Sequence, residues 1–251
     1  LTSYKSWAHK CDFHRYLALI PDKYLNQASL AQISNETNET YHVEYTNRSR
    51  ELFFNSNGLT ILQPDGHDKE EYGRLTLKML AALRDIYRRF SGRFEWLLKA
   101  DDDTFVFMDN MKQFIAERNH SLPYTYGHNF RVIVERGYHS GGGGYLFTQE
   151  AFDRIGKALD ANISYCHNSG YEDVDIGACL RRLKVYPARS LDDKGLERFH
   201  PTSFDSFISH QIPGWLFGYS ENHPERVCDL SFFFLHRSLN SSFINWNNNS
   251  L

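Results

Sequence analysis

The chain predicts an α/β fold, with a central, mostly parallel twisted sheet flanked by helices. Short β-rich runs alternate with stretches of helical periodicity, and no internal repeat breaks that order. The 251 residues are 41% hydrophobic and 24% charged, an ordinary globular balance. A chain of this length buries roughly 70–75% of its unfolded surface, enough for a real core. One domain over residues 1–251, or two small ones at most, is the expectation.

His14 to Ile20 reads as a strand closed by Pro21-Asp22. Residues 31–58 are polar and Asn-rich and read as an exposed excursion. Tyr72, Leu75, Met79, Leu83, Ile86 and Phe90 recur at three- and four-residue steps, which predicts a helix stopped by Ser91-Gly92. Arg84, Asp85, Arg88 and Arg89 fall on its outer face. Phe94 to Ala100 reads as a strand, followed by a helix from Asp109 to Arg118 and short strands at 124–127 and 131–134. Helices from about Gln149 to Leu159 and from Glu172 come next, the second with Ile176, Cys179, Leu180 and Leu183 on one face. Beyond Val185 the chain is aromatic and irregular, with Phe232 to Leu235 as a last strand.

With 28 basic and 31 acidic side chains the formal charge is −3, which argues against a phosphate-tracking nucleic-acid binder. No run of about 18–20 apolar residues is present to span a membrane. The first residues lack a starting Met and do not form a signal peptide, so any membrane anchor is expected to precede them. Asn-x-Ser/Thr acceptors begin at Asn35, Asn38, Asn47, Asn119, Asn162, Asn240 and Asn248. That exceeds the roughly two that chance would supply and points to a glycosylated, luminal chain. Cys11, Cys166, Cys179 and Cys228 show no zinc-like spacing. Cys166 and Cys179 can either close a short loop as a disulfide or stand as buried thiols.

Asp101-Asp102-Asp103 follow a strand directly, at the edge where open α/β sheets gather ligands. Crowded carboxylates repel, so the triplet calls for a cation, and hard oxygen ligands suit Mg²⁺ or Mn²⁺. The plainer alternative is a solvated turn. Ser140-Gly141-Gly142-Gly143-Gly144-Tyr145 lets backbone approach a ligand but lacks the dinucleotide and P-loop spacings. Glu172-Asp173 opens a helix, where the dipole favours acids and holds a carboxylate ionised, as a general base requires. His236 ends the last apolar run, and Trp215, Phe217 and Tyr219 cluster as a ring surface suited to sugars or to the core.

In this order the motifs resemble the inverting β1,3-glycosyltransferases of the fringe and core 1 galactosyltransferase group. Trp96 to Thr104 resembles the block WFLKADDDT, and Arg136 to Tyr145 resembles QGYMSGGAGY. Glu172-Asp173-Val174 with Gly177 and Cys179-Leu180 is similar to EDVxxGxCL, and Cys228-Asp229 precedes His236 at the group's spacing. The resemblance implies a GT-A fold, UDP-galactose as donor, Mn²⁺ as cofactor, and transfer to the 3-hydroxyl of a GalNAc on glycoproteins or glycopeptides. It implies Asp101, Asp103 and His236 as metal ligands, and Lys99, Asp101, Asp102, Gly142 and Gly143 against the donor. Asp173 takes the base role, with Glu172, Tyr138 and Trp215 toward the acceptor. Cys166 and Cys179 fit a disulfide of the group. It further implies a Golgi-luminal enzyme, type II and anchored ahead of this chain, and admits a homodimer. Arg189-Ser190-Leu191-Asp192 and Ser203 to Phe207 depart from the group's blocks, as does Gly214 to Phe217. Those departures keep two alternatives in play, a fringe-like β1,3-N-acetylglucosaminyltransferase and a non-catalytic glycan-binding descendant.

Overall fold

The computed structural model describes residues 6–26, 31–33, 40–46, 49–54, 59–225 and 235–236. It is a mixed α/β structure in which helices flank the sheets. The first sheet holds β1 (Tyr16–Leu17), β2 (Tyr41–Thr46), β3 (Ser49–Phe54) and β4 (Leu59–Gln63), in the order β1-β4-β3-β2. The second holds β5 (Trp96–Lys99), β7 (Tyr124–Gly127), β10 (Tyr145–Thr148) and β11 (Tyr186–Pro187), in the order β11-β7-β10-β5. Two smaller pairs join β6 (Thr104–Phe105) to β12 (Leu235–His236) and β8 (Asn129–Phe130) to β9 (Tyr138–His139).

The mostly parallel sheet is corrected. Among the described residues only β1 with β4 and β7 with β11 run parallel. Connection length is the reason. Residues 47–48 join β2 to β3, and two residues can close only an antiparallel hairpin. Between β7 and β10 the chain makes the β8–β9 hairpin and no crossover helix, so β10 returns antiparallel to β7. The passage from β10 to β11 carries helices α3 (Gln149–Ala161) and α4 (Glu172–Arg182), and β11 closes the sheet edge parallel to β7.

The excursion read over residues 31–58 is corrected too, because β2 and β3 lie within it. In β3, Leu52 and Phe54 are buried and pack with Ile20, Tyr24 and Leu59. The Asn-rich flanks mask that short alternation. Helix α1 (Leu75–Phe90) forms where its periodicity predicts, but Tyr72 and Leu75 stay exposed and Asp85 is buried. Asp85 sits inward because it accepts Ser49 Oγ at 2.8 Å and pairs Arg89 at 2.5 Å. Arg89 also reaches Glu51 at 2.8 Å, and Arg15 bonds the other Glu51 oxygen, so one ionic knot ties α1 to β3 and to the segment before β1. Opposite charges paired on several sides are tolerable in the interior where a single charge would not be.

The main core lies between α1, α3, α4 and the second sheet, around Leu83, Phe147, Phe152, Ile155 and Ile176. On the opposite face, α2 (Met108–Ala116) packs Met111 and Phe114 against Tyr126 and Leu146. Residues 131–134, expected as a strand, do not join a sheet; Ile133 takes φ 66°, outside extended geometry. Short helices α5 (Phe204–Ile208) and α6 (Gly214–Tyr219) follow β11. Cys166 and Cys179 form a disulfide with Cα atoms 5.2 Å apart, and among the described residues Cys11 has no disulfide partner. Among the described residues no helix is long and apolar enough to cross a membrane. Asn35, Asn38, Asn47, Asn240, Asn248 and Cys228 lie outside the described residues, as do Phe232 to Phe234 of the expected last strand.

Candidate active site

The end of β5, the start of β10 and the first turn of α4 meet at one point. Lys99 is the last residue of β5 and lies directly opposite Tyr145, the first of β10. The turn after β5 closes when Thr104 N donates to Asp101 O at 3.1 Å and Asp101 N donates to Thr104 Oγ1 at 3.1 Å. The acidic triplet therefore fans out from a tight turn. Thr104 Oγ1 in turn donates to Gly142 O at 3.4 Å, tying the triplet to the glycine run.

Lys99 stands at the centre. Its Nζ lies 2.5 Å from Asp101 Oδ1, 3.2 Å from Gly141 O and 3.5 Å from Glu172 Oε2. Burial works to lower its pKa, but the carboxylates of Glu172, Asp101 and Asp173 outweigh burial and hold the ammonium above its ordinary value. Glu172 is largely enclosed, and burial pushes its carboxyl up against the opposing pull of Lys99 and the Tyr145 hydroxyl. Tyr145 donates that hydroxyl to Glu172 Oε1. Asp173 accepts from Gly141 N at 3.3 Å on Oδ2 and from Val174 N at 2.9 Å on Oδ1.

The helix terminus was expected to keep Asp173 ionised. Its N–H donors are present, yet burial outweighs them and the carboxyl rises above its ordinary value. A raised carboxylate is the stronger base for an alcohol proton. The Gly141 backbone lies close against both side chains: a Cβ on it would come 3.3 Å from Glu172 Oε2 and 3.5 Å from Lys99 Nζ.

The structure thus brings together Lys99, Asp101, Gly142, Glu172 and Asp173. Asp102 is exposed on the same turn, and Asp103 is partly buried beside it. Gly143 lies against the backbone of His200, where a Cβ would meet it at 3.4 Å. The backbone of His236 pairs across from Thr104, one residue beyond Asp103. The His236 side chain lies outside the described residues. Among the described residues no three His, Cys, Asp or Glu side chains converge as a metal cage. Hard carboxylate oxygens suit a divalent cation in kind, while Asp101 Oδ1 is held by the Lys99 ammonium at 2.5 Å.

Tyr138 is nearly enclosed, its Cβ packed where any side chain on Gly177 would collide at 2.4 Å. Trp215 is half exposed on α6, edge-on to Phe130, which itself meets Tyr138. Trp215, Phe130 and Tyr138 thus pack as a chain of three rings. Asn119 and Asn162 are exposed, each accepting from the N–H of the serine two residues on. A cleft of about 570 Å³ lies elsewhere, lined by Arg118, Arg189 and Arg198 with Glu117, Asp192 and Asp193. It contains none of the candidate-site carboxylates, and its own acids and bases match in number.

Sequence reasoning missed Tyr145 and Thr104 as parts of the site. Tyr145 closes the glycine run in the sequence, but only strand pairing sets it opposite Lys99.

The arrangement gathers carboxylates, a buried lysine and glycine backbone at one sheet edge. Residues 61–136 match the family model described as Galactosyltransferase, a span that includes the acidic triplet and ends before the glycine run. The chain is 33% identical over 137 residues to glycoprotein-N-acetylgalactosamine 3-beta-galactosyltransferase 1 of Xenopus laevis, covering 55% of this chain and 36% of that protein. It is 26% identical over 143 residues to a beta-1,3-glucosyltransferase of Mus musculus, covering 54% of this chain and 27% of the relative. Chondroitin sulfate synthase 3 of Homo sapiens is 24% identical over 116 residues, 42% of this chain and 13% of that protein. The chain spans about a third or less of the length of these relatives. These similarities support a glycosyltransferase of galactosyltransferase type.

Proposed function

We propose that this chain carries the catalytic machinery of an inverting, metal-dependent β1,3-galactosyltransferase that uses UDP-galactose and a GalNAc-bearing glycoprotein or glycopeptide. One observation carries the reading: Asp101, Glu172 and Asp173 converge around Lys99 beneath the glycine run. Asp173 takes the proton of the acceptor 3-hydroxyl as that oxygen bonds the anomeric carbon and the bond from that carbon to the diphosphate breaks. Attack from the face opposite the leaving group inverts the anomeric centre. Gly141 N and Val174 N hold the two Asp173 oxygens, so the base is aimed before the acceptor arrives. Glu172 holds acceptor hydroxyls, and the backbone at Gly142 and Gly143 lies against the donor hexose. Asp101, Asp103 and His236 would hold a divalent ion, Mn²⁺ in this reading, which supplies charge to offset the departing diphosphate.

The disulfide and the two exposed acceptor asparagines, Asn119 and Asn162, support luminal residence. The full-length protein would be held in the Golgi by an anchor ahead of residue 1. The match to a beta-1,3-glucosyltransferase favours a second reading in which the same machinery moves another hexose. Incubation with UDP-galactose, UDP-glucose or UDP-N-acetylglucosamine, Mn²⁺ and a GalNAc-bearing peptide, followed by mass measurement, separates the two. Transfer from UDP-galactose is expected. A hexose increment from UDP-glucose alone would favour the second reading, and no product from any donor would refute both.

A further inference from the structure

We propose that Tyr145 is a positioning residue of the transfer reaction: its hydroxyl, together with Lys99, fixes the Glu172 carboxylate in the orientation that receives the acceptor sugar. This role rests on the transferase reading above.

The register supplies the geometry. Tyr145 stands opposite Lys99 on one side and Gly127 on the other. Residues directly opposite in an antiparallel pair share a face, so both side chains rise toward α4. The ring is confined on every side. Lys99 Nζ lies 5.6 Å from its centroid, His139 stacks at 6.2 Å, and Phe147 meets it at 5.4 Å. Gly127 makes that room, because a Cβ there would come 3.0 Å from Tyr145 Cβ and 2.9 Å from His139 Cγ. A rigid ring on a central strand is a better strut than a flexible side chain.

Glu172 has the opposite character, a long side chain at the first residue of a helix. Tyr145 donates its hydroxyl to Oε1 and the Lys99 ammonium faces Oε2 as an ion pair at 3.5 Å, so each carboxylate oxygen has one partner. The phenol acts by donating and not by ionising, since burial and the surrounding carboxylates hold its pKa well above ordinary. Deleting the hydroxyl would leave the ring packing intact and strip Oε1 of its donor.

The test is Tyr145→Phe in the full chain, compared with Glu172→Gln and the double variant. Acceptor kcat/KM should fall about 10- to 100-fold, the range of a charge-assisted hydrogen bond. UDP affinity by calorimetry should stay within about twofold, and the double variant should be no worse than Glu172→Gln, since coupled groups are non-additive. Glu172→Asp, which withdraws the carboxylate from the hydroxyl, should give the same acceptor-only loss even if Tyr145→Phe does not fold. Independent, multiplying losses would overturn the role, as would parent-level transfer by Tyr145→Phe or an equal loss of UDP binding in the variants. If the parent transfers and only these criteria fail, the role falls and the function stands. A parent inactive with every donor overturns both.

Discussion

Acidification should destabilise this protein through two buried imidazoles. His139 and His200 are 5% and 3% exposed, so solvent screening barely discounts their energies. Burial lowers both from 6.5 to about 3; the His128 charge adds to the lowering on each, and on His139 a hydrogen bond to the His128 backbone partly opposes it. A folded-state pKa below the unfolded value means the unfolded chain binds the proton first. The stabilisation these neutral rings contribute is therefore complete above about pH 7 and is lost as the pH falls from 6.5 toward 3. At pH 5.5 each unfolded imidazole is about nine-tenths protonated and each folded one is neutral, a loss of about 1.4 kcal/mol per residue. Together the pair costs about 3 kcal/mol, a large share of a typical domain stability of 5–15 kcal/mol. The raised carboxyls of Glu172 and Asp173 act with the opposite sign, gaining stability as pH falls. Comparison with single variants removes that shared background. Urea unfolding of the parent, His139→Gln and His200→Gln at pH 7.5 and 5.5 measures the difference. Each variant should lose about 1.4 kcal/mol less than the parent on acidification. Equal losses in all three proteins would refute the assignment of the acid sensitivity to these rings.

Four further outcomes are expected. Asp173→Asn should lower transfer by about 10²- to 10⁴-fold while UDP still binds by calorimetry, and near-parent turnover would remove Asp173 from the base role. Reducing the Cys166–Cys179 bond should cost about 3 kcal/mol in the chain-entropy account. Because that bond closes the loop bearing Glu172 and Asp173, transfer should fade at lower urea than the global unfolding signal. Gly156→Ala would place a Cβ 2.4 Å from the Tyr87 ring, and overpacking of about 1–3 kcal/mol should exceed the helix-propensity gain of about 1 kcal/mol. A raised Tm would contradict that close approach of α3 to α1. Asp85→Ala should lower stability by about 3 kcal/mol or more in urea, since it strands Arg89 beside Glu51 alone.

Local pattern made much of this protein legible. The three- and four-residue recurrence from Leu75 to Phe90 and from Ile176 to Leu180 marks helices that form in those places. Trp96 to Lys99 forms the strand that delivers the acidic triplet, and Cys166 does meet Cys179. Glu172-Asp173 opens a helix as the sequence indicates. These are properties of neighbouring residues, which share one stretch of backbone and one set of spacings.

The rest depends on residues far apart in the chain. No periodicity records that β10 returns antiparallel to β5, that Asp85 turns inward to Ser49 and Arg89, or that β3 hides in an Asn-rich run. Titration likewise belongs to the assembled site: Asp173 rises because the fold buries it, although its helix-terminal position alone argues for the reverse. Tyr145 became a partner of Glu172 only when strand register set it beside Lys99. Sequence by itself determined the main helices, the strand before the acidic triplet and where the acids lie; tertiary structure decided the strands of the Asn-rich run, the partners and the charges, because pairing and desolvation are made by contacts that the order of residues does not contain.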